Sequence, residues 1–112
     1  MNFAIIGCGH IAKRHAQLIP TYGNLVAVCD IDTLKANQFA ATYAARAYYS
    51  LTDLLLKEEA LDLVVICTPN GLHAQHAIEC LKAKKHVLCE KPMAINSVDC
   101  DAMIAVAKEN HK

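Results

Sequence analysis

The chain has 112 residues, 54% of them hydrophobic, with 11 basic and 11 acidic side chains and no net charge. That length supports one domain around one core, and charge that is balanced and dispersed removes the electrostatic case for nucleic acid or an anionic membrane surface. No apolar run reaches the roughly 18 residues a membrane span needs, and the basic lead and cleavage site of a secretory signal are missing, so a soluble, cytoplasmic protein is expected.

Apolar runs alternate with helical periodicity along the chain, which predicts repeated βαβ units and a parallel sheet covered on both faces. The first strand is expected over Asn2 to Ile6 and runs into Gly7-Cys8-Gly9-His10-Ile11-Ala12. This is the spacing GxGxxA. Gly7 allows a tight turn, Gly9 lets backbone approach a pyrophosphate, and Ala12 lets the following helix pack close to the strand. The free N–H groups and partial positive charge at the start of that helix suit a phosphate. Ala12, Ala16 and Ile19 form its buried face, and it should stop near Pro20.

A second strand, Leu25 to Asp30, ends on an acid twenty-one positions past Gly9. A carboxylate there can accept the hydroxyls of an adenosine ribose. The next helix starts near Thr33 and buries Ala36, Phe39, Ala40 and Tyr43. A short third strand at Arg46 to Tyr49 precedes a helix capped by Ser50 or Thr52 and carrying Leu51, Leu54 and Leu55. The tyrosines in TYAARAYYS suit packing or a pocket wall, and packing is the expectation.

The fourth strand, Leu61 to Cys67, is aliphatic apart from Asp62 and breaks at the turn formers Thr68-Pro69-Asn70-Gly71. Asn70 is also a candidate N-cap for the helix that follows, whose buried side carries Ala74, Ala77, Ile78 and Leu81. His86 to Cys89 is the fifth strand. After Glu90-Lys91-Pro92, a last helix is expected from about Ser97, burying Cys100, Met103, Ile104 and Ala107. Right-handed crossovers favour the strand order 3-2-1-4-5, with the switch point between strands one and four. One crevice should then collect the loops after Ile6, Asp30, Cys67 and Cys89.

The six cysteines form no CxxC pair and suit reduced, small apolar fillers, although Cys8 lies in the phosphate turn and would be open to oxidation if exposed. His73 and His76 are three apart on a predicted helix, a spacing that can hold a metal, but no further ligand completes a site, and no metal is expected. Structural roles are the expectation for His10, His15, His76 and His86 as residues in their own right.

The segments IIGCGHIAKRH, VAVCDID and VVICTPNGLHAQHAIECLKAKKHVLCEKPMA, in this order and spacing, resemble the N-terminal NAD(P)-binding domain of the Gfo/Idh/MocA (glucose-fructose oxidoreductase / inositol dehydrogenase) oxidoreductases. The resemblance covers the whole chain. It implies a Rossmann-like, doubly wound α/β fold, a nicotinamide cofactor, reaction at a hydroxyl of a sugar, cyclitol or nucleotide-sugar, and homo-oligomers. By position it places Gly7, Gly9, His10 and Ile11 around the pyrophosphate and Asp30 on the adenosine ribose. It sets Thr68, Pro69 and Asn70 beside the cofactor with His73 close behind, and Glu90 and Lys91 at the nicotinamide ribose and reacting centre. Lys91 is the catalytic candidate, since its ammonium can hydrogen-bond the substrate oxygen as hydride moves. Relatives that favour NADP usually carry a basic or small residue at or just after the acid. Here Ile31 follows Asp30, and a carboxylate repels a 2′-phosphate, so NAD is expected over NADP.

In that family a sixth strand and a sugar-binding second domain follow. Residues 1–112 are therefore expected to be the dinucleotide-binding domain of a truncated or cut protein, lacking the last strand and the C-terminal substrate domain, and an open fifth strand should promote self-association. The alternative from another functional class is a stand-alone, non-catalytic NAD(H)-binding module.

Overall fold

The computed structural model describes residues 1–89. Five strands alternate with four helices: β1 Asn2–Ile6, α1 His10–Leu18, β2 Asn24–Cys29, α2 Thr33–Tyr43, β3 Arg46–Tyr48, α3 Leu51–Lys57, β4 Leu63–Ile66, α4 His73–Lys82 and β5 His86–Cys89. Single 3-10 turns, Ile19–Thr21 and Asn70–Leu72, follow α1 and precede α4. The last expected helix, with Cys100, lies outside the described residues. None of the described helices is long and apolar enough to cross a membrane.

All strands are parallel, in the expected order β3-β2-β1-β4-β5. Period-two alternation divides the core between the two faces. Phe3 and Ile5 of β1 join Ala12, Ala16 and Phe39 beneath α1 and α2, whereas Ala4 and Ile6 join Leu51, Leu54, Ala77 and Cys80 beneath α3 and α4. Both faces are covered, so the sheet is doubly wound. Ala12 has no exposure, which lets α1 lie close to β1.

Register then decides where function can sit. Ile6 is level with Cys29 and with Ile66; Cys29 is level with Tyr48, and Ile66 with Cys89. The carboxyl ends of the five strands therefore form one row, and the loops that leave them share one edge of the sheet.

The opposite edge is closed by its own groups. Asp62, the one acid in the β4 run, accepts a hydrogen bond from the Asn2 N–H at 2.7 Å, and its own N–H donates to the Asn2 carbonyl at 2.9 Å. Gly23, which the sequence marks only as a breaker, packs so tightly that a Cβ would stand 2.0 Å from the Met1 carbonyl oxygen. Helix ends follow local chemistry. Asp32 caps α2 by accepting from the Leu34 and Lys35 N–H groups, and Ser50, not Thr52, caps α3 through the Asp53 N–H. Asn70 opens the 3-10 turn, so the N-cap of α4 is Leu72 rather than Asn70, and no side chain caps it.

One polar cluster has no sequence signal. Glu58, at the end of α3, is buried, accepts from Arg46 Nε at 2.6 Å and from the Tyr48 hydroxyl, and ties α3 to the short strand β3. The Arg46 hydrogen bonds hold its carboxyl below the usual carboxylate range, against the opposing effect of burial.

Candidate functional site

Gly7 is the pivot of the carboxyl edge. Its φ of 89° is left-handed, its N–H donates to the Cys29 carbonyl at 2.8 Å, and a Cβ would lie 2.7 Å from the Cys67 carbonyl carbon and oxygen. Only glycine fits between the ends of β2 and β4 there. Gly9 is different. Its backbone is extended, it occupies the N-cap of α1 without a side chain to cap it, and a Cβ on it would meet no atom within 4 Å among the described residues. The first turn of α1 also carries no acid, and an uncapped helix start of this kind suits an anion.

Asp30 stands just past β2 and is held firmly. One carboxylate oxygen accepts the Cys8 N–H at 2.9 Å and the other accepts the Asp32 N–H at 2.9 Å. A carboxylate oxygen has two acceptor directions, so each retains one beyond these bonds, and Asp30 lines the crevice. The Gly-rich turn and the acid are thus a single hydrogen-bonded unit. Cys8 itself is buried, its thiol donating to the Cys29 carbonyl at 3.6 Å. Burial, reinforced by Asp30, pushes that thiol up to about 12, so it stays protonated and unreactive. Cys29 and Cys80 behave alike, raised by burial to about 11 and about 12.

The facing wall is the turn after β4. The Thr68 carbonyl, which can only accept, accepts a hydrogen bond from Nε2–H of the buried His73 at 2.6 Å. The Thr68 hydroxyl pairs with Nδ1 of His76 at 2.9 Å. Burial lowers the His76 imidazole below its ordinary value, partly offset by the Glu79 carboxylate.

Between these walls is a crevice of about 610 Å³, within the range of small-molecule and cofactor sites. Gly7, Gly9, Asp30, Thr68 and Pro69 line it together, as the sequence places them. His10, exposed at the first position of α1, instead lines a neighbouring groove of about 590 Å³ with Lys13 and Lys35. Ile11 is half-buried in the first turn of α1 and lines neither. His73 lies behind Thr68 rather than on the crevice surface. Asn70 begins the 3-10 turn that follows Pro69. Glu90 and Lys91 lie outside the described residues. Among the described residues no group of three or more histidine, cysteine or acidic side chains is placed to hold a metal.

Several wall residues were not among the sequence-predicted site residues. Ile31 and Tyr49, and on the side of the Thr68 turn Leu72 and His76, also line the crevice. Tyr43 does pack, its ring centroid 4.8 Å from that of Phe39, but Tyr49 is a pocket wall and donates its hydroxyl to Asn37. His76 both supports the fold and faces the crevice. The hydrophobic period of α4 makes Ala77 and Leu81 legible but says nothing of a half-buried neighbour that meets a loop from another strand.

The arrangement fits a dinucleotide, with an open glycine and uncapped helix start for the diphosphate and an oriented acid for a sugar diol. The family model described as "Oxidoreductase family, NAD-binding Rossmann fold" matches residues 1–112. The chain belongs to the Gfo/Idh/MocA oxidoreductase family. Within this family its described part is the NAD-binding Rossmann domain. It is 39% identical over 104 residues to glucose-6-phosphate 3-dehydrogenase of Bacillus subtilis, covering 91% of this chain and 29% of that protein. A scyllo-inositol 2-dehydrogenase (NADP(+)) of the same organism is 35% identical over 112 residues, covering 98% of this chain and 34% of that one. A crystal structure of the WlbA dehydrogenase from Chromobacterium violaceum, in complex with NADH and UDP-GlcNAcA, superposes with a TM-score of 0.96 at 37% identity. That match covers 100% of this chain and 33% of the other. The chain thus spans about a third of the length of the relatives it matches.

Proposed function

We propose that the crevice binds NAD(H) in preference to NADP(H), and that the domain serves an oxidoreductase acting on a hydroxyl of a sugar, cyclitol or nucleotide-sugar. The observation that carries the binding mode is the coupling of the glycine turn to Asp30 through the Cys8 N–H, beside a Gly9 whose Cβ position is open among the described residues. One peptide unit thereby sets the distance between diphosphate and ribose. Preference for NAD rests on charge. Asp30 and Asp32 both line the ribose end of the crevice, and only Lys35 offsets them among the lining residues, so a 2′-phosphate would meet net negative charge.

The substrate class is supported by relatives that act on sugars and inositols and by one solved with a nucleotide-sugar. When bound, the nicotinamide supplies the hydride acceptor or donor. The work of this chain is to hold the diphosphate on backbone N–H groups and the ribose on Asp30. Glu90 and Lys91 are assigned to the nicotinamide end, with the Lys91 ammonium donating to the substrate oxygen. The discriminating experiment is calorimetric titration of the protein with NADH and with NADPH. Saturable NADH binding that is lost in Gly9→Val, with weaker NADPH binding that improves in Asp30→Ser, is the expected result; equal affinities would overturn the preference. Turnover with a panel of polyols, measured with and without Lys91→Ala, tests the reaction class.

A further inference from the structure

We propose that His76 is a positioning residue for the bound dinucleotide: by pairing with the Thr68 hydroxyl it decides whether that hydroxyl offers the crevice a lone pair or a proton. The proposal rests on the dinucleotide reading above and goes beyond it in naming a group that controls affinity without needing to touch the ligand.

Thr68 is gripped twice by α4. His73 Nε2 donates to its carbonyl at 2.6 Å and so fixes the backbone, whereas His76 Nδ1 lies 2.9 Å from its hydroxyl oxygen. The two imidazoles are three residues apart on one helix, adjacent on its surface. His73 is buried, while His76 and Thr68 both line the crevice. The carbonyl contact can run in one direction only, but the hydroxyl contact can run in either, because a threonine hydroxyl donates or accepts by rotation.

With His76 neutral as the Nε2–H tautomer, Nδ1 has a lone pair, the Thr68 O–H donates to it, and the hydroxyl oxygen turns its lone pairs to the crevice. With His76 protonated, Nδ1–H donates instead. The Thr68 oxygen then accepts, and its hydrogen points into the crevice, where a diphosphate and ribose present chiefly acceptors. Protonation should therefore tighten binding, and by linkage the bound dinucleotide should raise the affinity of His76 for its proton by the same factor.

The charged and titratable surroundings can be named. On α4, Glu79 favours the imidazolium and His73 opposes it. Glu79 is itself steadied by the Thr52 hydroxyl of α3 at 2.9 Å. Across the crevice stand Cys29 and Asp30 at the end of β2, Asp32 and Lys35 at the start of α2, Tyr49 before α3, and Cys67 after β4. Burial outweighs the rest and keeps His76 neutral near pH 7, which places the switch on the acid side of neutrality.

Calorimetry with NAD+ on the 112-residue protein, at about pH 5.5 and about pH 8 where histidine changes charge, tests this in wild type, His86→Asn, His76→Asn and Thr68→Val. Wild type should bind about three- to tenfold more tightly at the lower pH, the size of one redirected hydrogen bond. His86→Asn, which replaces an exposed histidine at the opposite edge of the sheet, should keep that ratio. His76→Asn, whose amide can still pair with the hydroxyl but does not titrate, and Thr68→Val should both be flat. Circular dichroism at both pH values confirms that each variant is folded. In nitrogen-15 NMR, His76 should show an unprotonated Nδ1 at the higher pH. Survival of the pH ratio in His76→Asn, a flat wild type, or an Nδ1–H tautomer at the higher pH would each overturn the proposal while leaving the dinucleotide site intact. Failure of wild type to bind NAD+ at either pH would overturn the functional reading and this inference together.

Discussion

Gly23 and Gly9 stand at opposite edges of the same sheet and are retained for opposite reasons. At the amino edge the space a Gly23 side chain would need is filled by the Met1 carbonyl, 2.0 Å away, and the neighbouring Asn2 and Asp62 satisfy each other. At the carboxyl edge a Gly9 side chain would meet nothing among the described residues. A glycine whose Cβ position is filled by protein serves the fold; one whose Cβ position is open, beside a helix start with no side-chain cap, is where the proposed function puts a diphosphate. Gly7 is of the first kind although it lies in the second region, since it is hemmed by Cys67 and sits at positive φ.

The comparison predicts that the two edges fail differently. The largest effect is expected at Gly23 and Gly7. Gly23→Ala must displace backbone, and Gly7→Ala adds about 1–3 kcal/mol of left-handed strain to a clash costing roughly the same again. Denaturant titrations should show either variant losing much of the total stability, about 5–15 kcal/mol for a domain of this kind. Gly9→Val should cost only about 1 kcal/mol, as a poorer N-cap, yet abolish NADH binding in the same preparation. If Gly9→Val unfolded the protein while Gly23→Ala did not, the assignment of the two glycines would be reversed.

Next in size is Glu58, a polar group that is internal to the fold and far from the ligand row in role. Glu58→Ala leaves the Tyr48 hydroxyl and the Arg46 guanidinium without their acceptor and should destabilise by about 1–3 kcal/mol, with NADH affinity unchanged. Its titration sharpens the point. Because the folded carboxyl is held below its ordinary value by the Arg46 hydrogen bonds, the unfolded chain takes up the proton first as pH falls. The stabilisation is complete above that value and is lost as pH drops through the lower, folded one. Glu58→Gln should remove this limb of the acid-unfolding curve.

The smallest effect concerns reactivity. With Cys8, Cys29 and Cys80 buried and their thiols raised to about 12, about 11 and about 12, iodoacetamide at mildly alkaline pH should label none of the three in the folded protein. All three should label after denaturation, as mass spectrometry of the peptides would show. Fast labelling of Cys8 in the native state would mean that the turn next to Asp30 opens far more readily than its hydrogen bonds imply.

Much of the architecture was legible beforehand because it rests on periodicity. The β1 run Phe3-Ala4-Ile5-Ile6 and the face Ala12, Ala16 and Ile19 report burial directly, and alternation of such segments with the handedness of crossovers leaves few strand orders. The glycine spacing and the position of Asp30 were likewise readable, since both belong to a single βαβ unit. Contacts between segments distant in sequence were not. Asp62 interrupts an aliphatic run and meets Asn2 only once the strands pair, Glu58 carries no signal until Arg46 and Tyr48 close on it, and Tyr49 was expected to pack. In each case the partner lies at least ten positions away and is set by strand register rather than by local pattern.

The sequence by itself therefore determined which segments become strands and helices, where the glycine turn falls and which acid ends the second strand, because burial and turn chemistry act over a few residues. Only the tertiary structure decided that Asp30 is oriented by the Cys8 N–H and that His73 and His76 divide the Thr68 carbonyl and hydroxyl between them. Those directions depend on level strand ends, and the row Tyr48, Cys29, Ile6, Ile66 and Cys89 exists only once the five strands have paired.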